Sequence, residues 1–122
     1  KTSPSDYKYC VFHSPNGKFP LAVYKRLGFT DEQFKPGFIV PQIGNPYSAS
    51  SLLSLAAVLE VAKPQEKIFL VSYGSGAGSD AFMLETTDLL PKARTKTKQI
   101  SWFLENKSYI DYIQLLKNEK KI

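Results

Sequence analysis

One cysteine and one histidine are all the soft ligand chemistry in this 122-residue chain. A single cysteine excludes an internal disulfide framework and fits a reducing compartment. One His beside one Cys also excludes a Cys/His metal cluster. No apolar run approaches the roughly 18 residues that span a bilayer, and no signal peptide opens the chain. We therefore expect a cytoplasmic protein with no metal and no membrane segment. An initiator Met is lacking too, which leads us to expect part of a larger α/β unit.

Charge of one sign is missing from most of the molecule. Residues 1–91 carry eight basic and eight acidic residues, whereas residues 92–122 carry eight basic against three acidic, the whole of the +5 net charge. A neutral globular part argues against a nucleic-acid face on the core. The glycine-rich stretch 74–79 also lacks a nucleotide fingerprint. No Gly-Lys-Ser/Thr closes it, Ser79 stands where a dinucleotide site needs Gly or Ala, and a strand pattern follows instead of a helix.

What is present is the composition of a folded protein, 43% hydrophobic and 13% aromatic, long enough for one domain with a modest core. Residues 7–12 read as a buried strand. Residues 18–27 read as a helix, with Leu21, Tyr24 and Leu27 at helical spacing and Gly28 as its stop. Thr30 and Gln33 have the form of a capping box. Residues 38–43 read as a strand that Pro41 places at an edge. Residues 50–62 predict a helix buried on most sides, 67–73 a central strand and 80–87 its returning partner. The order β-α-(α)-β-α-β-β predicts an α/β fold, a largely parallel mixed sheet covered by helices. The domain is expected over 1–91. Residues 92–122 form a basic tail, with an amphipathic helix from about 106.

Four places could carry chemistry. His13 ends a strand, where open α/β sheets build ligand sites, and Pro15 and Gly17 constrain the loop after it. From position alone it reads equally as a site group and as a surface imidazole. Asn45 precedes Pro46, which biases it to an extended backbone, although Gly-Asn-Pro is also plain turn chemistry. The 74–79 loop offers backbone N–H groups to an oxyanion, or is a simple hairpin turn. Cys10 sits inside an apolar strand and reads as an inert thiol.

Three segments in order, 11–20 (Val-Phe-His-Ser-Pro-Asn-Gly-Lys-Phe-Pro), 43–53 (Ile-Gly-Asn-Pro-Tyr-Ser-Ala-Ser-Ser-Leu-Leu) and 71–82 (Val-Ser-Tyr-Gly-Ser-Gly-Ala-Gly-Ser-Asp-Ala-Phe), closely resemble the C-terminal part of the archaeal-type 3-hydroxy-3-methylglutaryl-CoA synthases. Tyr109-Ile110-Asp111-Tyr112 and the Lys121-Ile122 ending match as well. These enzymes belong to the thiolase-like superfamily. The resemblance implies the C-terminal half of a thiolase-like fold, without its first strand and helix. It also implies condensation of acetyl-CoA with acetoacetyl-CoA, which feeds mevalonate and isoprenoid synthesis. By the same resemblance His13 polarises the acetoacetyl group, Asn45 helps bind or polarise the second acyl group, the Ser75 backbone N–H completes an oxyanion hole, and Lys18 contacts CoA. No cofactor is implied beyond the CoA thioester substrates.

The implied partners are the N-terminal half, which would hold the nucleophilic cysteine and the glutamate base, and a second copy in a homodimer. Assembly with an acetoacetyl-CoA thiolase and a zinc-binding OB-fold protein is a further implication. The chain alone is then expected to be inactive. Pro46 and Ala49 depart from the pattern, standing where Thr and Gly are expected. A ketoacyl-ACP-synthase-like condensing enzyme and a non-catalytic scaffold with a recruiting tail are the alternatives.

Overall fold

The computed structural model describes residues 2–74 and 76–122. Its frame is a three-stranded sheet in the order β1-β2-β3, formed by β1 (Tyr9–Phe12), β2 (Lys67–Tyr73) and β3 (Ser79–Glu85). β1 and β2 run parallel in the register Tyr9 to Ile68 through Phe12 to Val71, and β3 returns antiparallel beside β2. All four residues of β1 are buried, as its unbroken apolar pattern requires.

Alternation along β1 divides the core in two. Cys10 and Phe12 face an aromatic cluster of Tyr7, Tyr24, Phe29 and Phe34, against which Phe38, Phe69 and Val71 pack. Tyr9 and Val11 face the opposite side with Val58, Ala62, Ile68 and Leu70. The aromatic side is closed by α1 (Lys18–Leu27) and the short α2 (Asp31–Phe34). α1 stops at Gly28, whose φ of +86° admits glycine at no steric cost. The capping box at Thr30 and Gln33 is formed. Tyr24 stacks on Phe34 with ring centroids 4.2 Å apart and donates its hydroxyl to Asp31 Oδ1 at 2.5 Å.

The expected strand over 38–43 is not a strand: Val40–Ile43 form one helical turn, α3. Pro41 has no N–H to give a ladder, but the first turn of a helix leaves that N–H unused anyway. A six-residue apolar run carries too little periodicity to separate the two outcomes. The element order is accordingly β-α-α-α-α-β-β up to residue 85.

α4 (Ser50–Val61) crosses the other face of the sheet. Its fully buried residues are Ser50, Ser51, Ser54, Ala57 and Val58, partly buried Leu55 and Leu59 pack beside that core, and Leu52 and Val61 stay exposed. The buried side is the small-residue side, which lets the backbone come close. A Cβ on Gly37 would lie 3.2 Å from Val58 Cγ2 and 3.4 Å from both Ser54 O and Val11 Cγ2.

Beyond the sheet come α5 (Leu90–Arg94), α6 (Ile100–Glu105) and α7 (Tyr112–Asn118). The expected boundary at 91/92 falls inside α5. Arg94 donates to the carbonyls of Leu59 and Ala62 at the end of α4, and the Glu60 carboxylate accepts the Ile100 N–H. The amphipathic helix expected from about 106 begins only at Tyr112, and a separate helix, α6, ends just before 106. The Asn106 amide donates back to Trp102 O at 2.7 Å, ending α6, and Asp111 caps α7 by accepting the Gln114 N–H at 2.8 Å. Among the described residues no helix is long and apolar enough to cross a membrane.

Candidate active site

His13 leaves the end of β1, and its position is over-determined by hydrogen bonds on either side. Its N–H donates to Val71 O at 2.9 Å, carrying the parallel ladder one residue past the strand. The next N–H, on buried Ser14, donates to Ser50 Oγ at the start of α4 at 2.9 Å. The Ser14 hydroxyl donates back to Phe12 O, also at 2.9 Å. The imidazole is half-buried and lies 6.0 Å from the Tyr73 ring, inclined by 53°.

Asn45 reaches the same place from the other side. It follows Gly44, at φ +71°, after α3. Its Oδ1 accepts the Tyr47 N–H at 2.8 Å, an Asx turn across Pro46. The hairpin end between β2 and β3 supplies the third wall: the Gly74 N–H donates to Gly78 O at 2.9 Å and the Ala77 N–H to Gly74 O at 3.0 Å.

These three pieces enclose an open cleft of about 760 Å³. It is lined by His13, Asn45, Tyr47, Ser48, Ser72, Tyr73 and Asp80, with Gly74, Gly76 and Gly78. His13 and Asn45 are thus brought together. Ser75 lies outside the described residues, although Gly74 and Gly76 on either side of it line the cleft. Lys18 does not line it; the residue is exposed at the first position of α1. A second, apolar pocket of about 430 Å³ is formed by Phe12, Pro15, Phe19, Val23, Val71 and Ser79, and shares His13 and Tyr73 with the cleft. The His13–Tyr73 pair therefore stands between a polar cleft and an apolar pocket.

Cys10 is excluded as a nucleophile. It is fully buried in the aromatic cluster, and burial pushes its thiol up to about 12, so the thiolate is absent at neutral pH. Among the described residues no group of three or more His, Cys, Asp and Glu could hold a metal ion.

Sequence reasoning passed over Asn16, Tyr47, Tyr73 and Asp80. Asn16 Oδ1 accepts the N–H groups of Lys18 and Phe19 at 2.8 and 3.1 Å, fixing the start of α1 and with it the loop after His13. An Asn two residues before a helical pattern is a capping signal that could have found it. Tyr73 pairs with Ser79 and Asp80 with Ser72 at the end of the hairpin, and only this strand register brings Tyr73 and Asp80 to the same cleft.

An imidazole and a carboxamide line one cleft beside the glycine loop, and both can donate to an acceptor oxygen. Such a set stabilises negative charge that develops on a carbonyl oxygen during addition to it.

Comparison with known proteins finds relatives over nearly the whole chain. Hydroxymethylglutaryl-CoA synthase of Methanocaldococcus jannaschii is 51% identical over 121 residues, covering 99% of this chain and 35% of the relative. That of Caldivirga maquilingensis is 54% identical over 119 residues, covering 98% of this chain and 34% of the relative. The chain thus spans about a third of the length of the curated relatives it matches. Among solved structures, the HMG synthase of the curacin biosynthetic pathway in complex with apo donor-ACP superposes with a TM-score of 0.78. That match covers 98% of this chain and 34% of that one at 23% identity, a likeness of fold. The thiolase-like α/β half-domain implied by the resemblance is the fold found. Residues 1–86 match the family described as 3-oxoacyl-[acyl-carrier-protein (ACP)] synthase III C terminal, and the chain belongs to that family.

Proposed function

We propose that this chain is the C-terminal portion of a hydroxymethylglutaryl-CoA synthase and supplies the electrophile-activating side of its site. The observation that carries the proposal is the convergence of His13, Asn45 and the 74–78 loop on one cleft. The reaction is a Claisen-type condensation. A cysteine outside this chain carries the acetyl group, and a glutamate outside it removes a methyl proton. The resulting carbanion attacks the ketone of acetoacetyl-CoA. As that carbon–carbon bond forms, the carbonyl π pair moves onto oxygen. The His13 ring N–H and the Asn45 amide donate to that oxygen, and His13 delivers the proton that makes the tertiary alcohol. Backbone N–H groups of the loop, that of Ser75 included, hold the acyl-enzyme oxygen until water releases the product. Lys18, outside the cleft lining, contacts CoA.

The substrates are CoA thioesters and no resident cofactor takes part. Exposed Leu52 and Val61 on α4 support the N-terminal half as a covering partner. Homodimerisation, a cytoplasmic location, and assembly with an acetoacetyl-CoA thiolase and a zinc-binding OB-fold protein belong to the same proposal.

The family description favours one alternative, a ketoacyl-ACP-synthase-like condensing enzyme. Substrate choice by the complete protein separates the two. Consumption of acetoacetyl-CoA with acetyl-CoA supports the synthase, whereas turnover of malonyl thioesters alone would replace it with the alternative.

A further inference from the structure

The turn that carries Asn45 contains two residues no catalytic role accounts for. Pro46, at φ −84° and ψ 18°, fills the middle of the Asx turn, and Tyr47 after it adopts φ +54°, a left-handed backbone that a tyrosine rarely takes. Tyr47 is not held there by its side chain, which is 76% exposed. Its N–H, whose direction is set by the Pro46–Tyr47 peptide plane, donates to Asn45 Oδ1 at 2.8 Å.

That contact fixes the amide. A backbone N–H can be accepted only by the oxygen of a carboxamide, so Oδ1 is turned toward Tyr47 and the NH2 end is turned away from it. Among the described residues Asn45 Nδ2 has no partner, and Asn45 lines the cleft. We infer that Pro46 and Tyr47 are positioning residues, which lock the Asn45 amide so that it offers the cleft two N–H donors and no acceptor. Pro46 restricts the turn before any ligand arrives, because its ring fixes φ near the value the turn uses. The departure from the resembled pattern at position 46 therefore has a local use. A donor-only amide selects a carbonyl or thioester oxygen over a protonated group at that point of the cleft.

The catalytic part of this inference rests on the proposed function; the lock itself does not. The test uses the complete protein carrying this chain, with amide exchange across residues 44–49 followed by mass spectrometry and the condensation of acetyl-CoA with acetoacetyl-CoA in parallel. Asn45→Asp keeps an acceptor for the Tyr47 N–H but removes both donors. It should leave exchange at 47 slow and abolish condensation. Asn45→Ala removes both groups, and exchange should quicken by about tenfold or more as the hydrogen bond is lost. Pro46→Gly should quicken exchange and raise KM for acetoacetyl-CoA by about two- to fivefold, with the rate of enzyme acetylation unchanged. Exchange at 47 as fast in the native protein as in Asn45→Ala, or full condensation by Asn45→Asp, would overturn the inference. A native protein that does not condense these thioesters yet shows the slow exchange and its loss in Asn45→Ala would sink the proposed function and leave the lock standing.

Discussion

Ser50 and Ser51 begin α4 side by side, both buried, and truncating each to alanine should act in opposite directions. Ser50 Oγ accepts the Ser14 N–H at 2.9 Å, and Ser14 is itself buried. Ser50→Ala leaves that N–H without a partner and without water, at a cost of about 1–3 kcal/mol. Ser51 Oγ is buried with no hydrogen-bond partner among the described residues. Ser51→Ala removes a hydroxyl that was desolvated for no return, so it should be neutral or stabilising within about 0.5 kcal/mol. Helix propensity shifts both variants equally, by about half a kcal/mol in favour of alanine, and drops out of the comparison. Chemical denaturation at constant m-value gives the two differences, and amide exchange at Ser14 localises the first. The Ser14 amide should exchange at least about tenfold faster in Ser50→Ala and unchanged in Ser51→Ala. Equal destabilisation by the two substitutions would refute the reasoning. So would an unchanged Ser14 amide in Ser50→Ala, because His13 would then not depend on α4 for its placement.

Other parts of the structure make comparable commitments. Gly37→Ala should destabilise by about 1–3 kcal/mol in the same denaturation assay, because its Cβ meets Val58 Cγ2 at 3.2 Å and the backbone of Ser54 at 3.4 Å. Cys10, with its thiol pushed up to about 12 by burial, should resist alkylation at neutral pH in the folded protein and react fully once denatured, as mass spectrometry would show. The Asp31 hydrogen bond, helped by burial, pushes the Tyr24 phenol up to about 12 from an ordinary value of 10.0. The folded state therefore favours the protonated form, and this contribution is complete below pH 10 and is lost as pH rises toward 12. Stability curves in that window should fall less steeply for Tyr24→Phe than for the native chain.

How far the sequence reveals the molecule depends on where the deciding physics lies. α1 with its Gly28 stop, the Thr30 box and the β2–β3 hairpin are decided locally, by spacing, capping and turn chemistry, and they form where expected. The run Phe38 to Ile43 is decided by whether a partner strand is within reach, which no short pattern contains; the chain curls into a helical turn at Pro41. α4 was expected to be buried on most sides because its residues are apolar; its most deeply buried side is chosen by closeness of approach, through Ser54, Ala57 and Val58. The helix expected from about 106 starts at Tyr112 instead, because Asn106 closes α6 and Asp111 caps α7. For the site, strand-end and turn chemistry left His13 and Asn45 open between a site role and a plain one, and the family resemblance singled them out. Tyr73 and Asp80 were hidden because their place in the cleft follows from the strand pairing, and the Asn45 amide orientation because it follows from the hydrogen bond the Tyr47 N–H donates to Oδ1.

The central claim is that His13 activates the acceptor in a condensation whose nucleophile lies elsewhere. The most direct measurement is His13→Ala in the complete protein, with enzyme acetylation by acetyl-CoA and condensation with acetoacetyl-CoA followed separately. Acetylation should persist while condensation falls by about 10²- to 10⁴-fold, the range for loss of a positioned acid–base group. Condensation at the native rate would contradict the account.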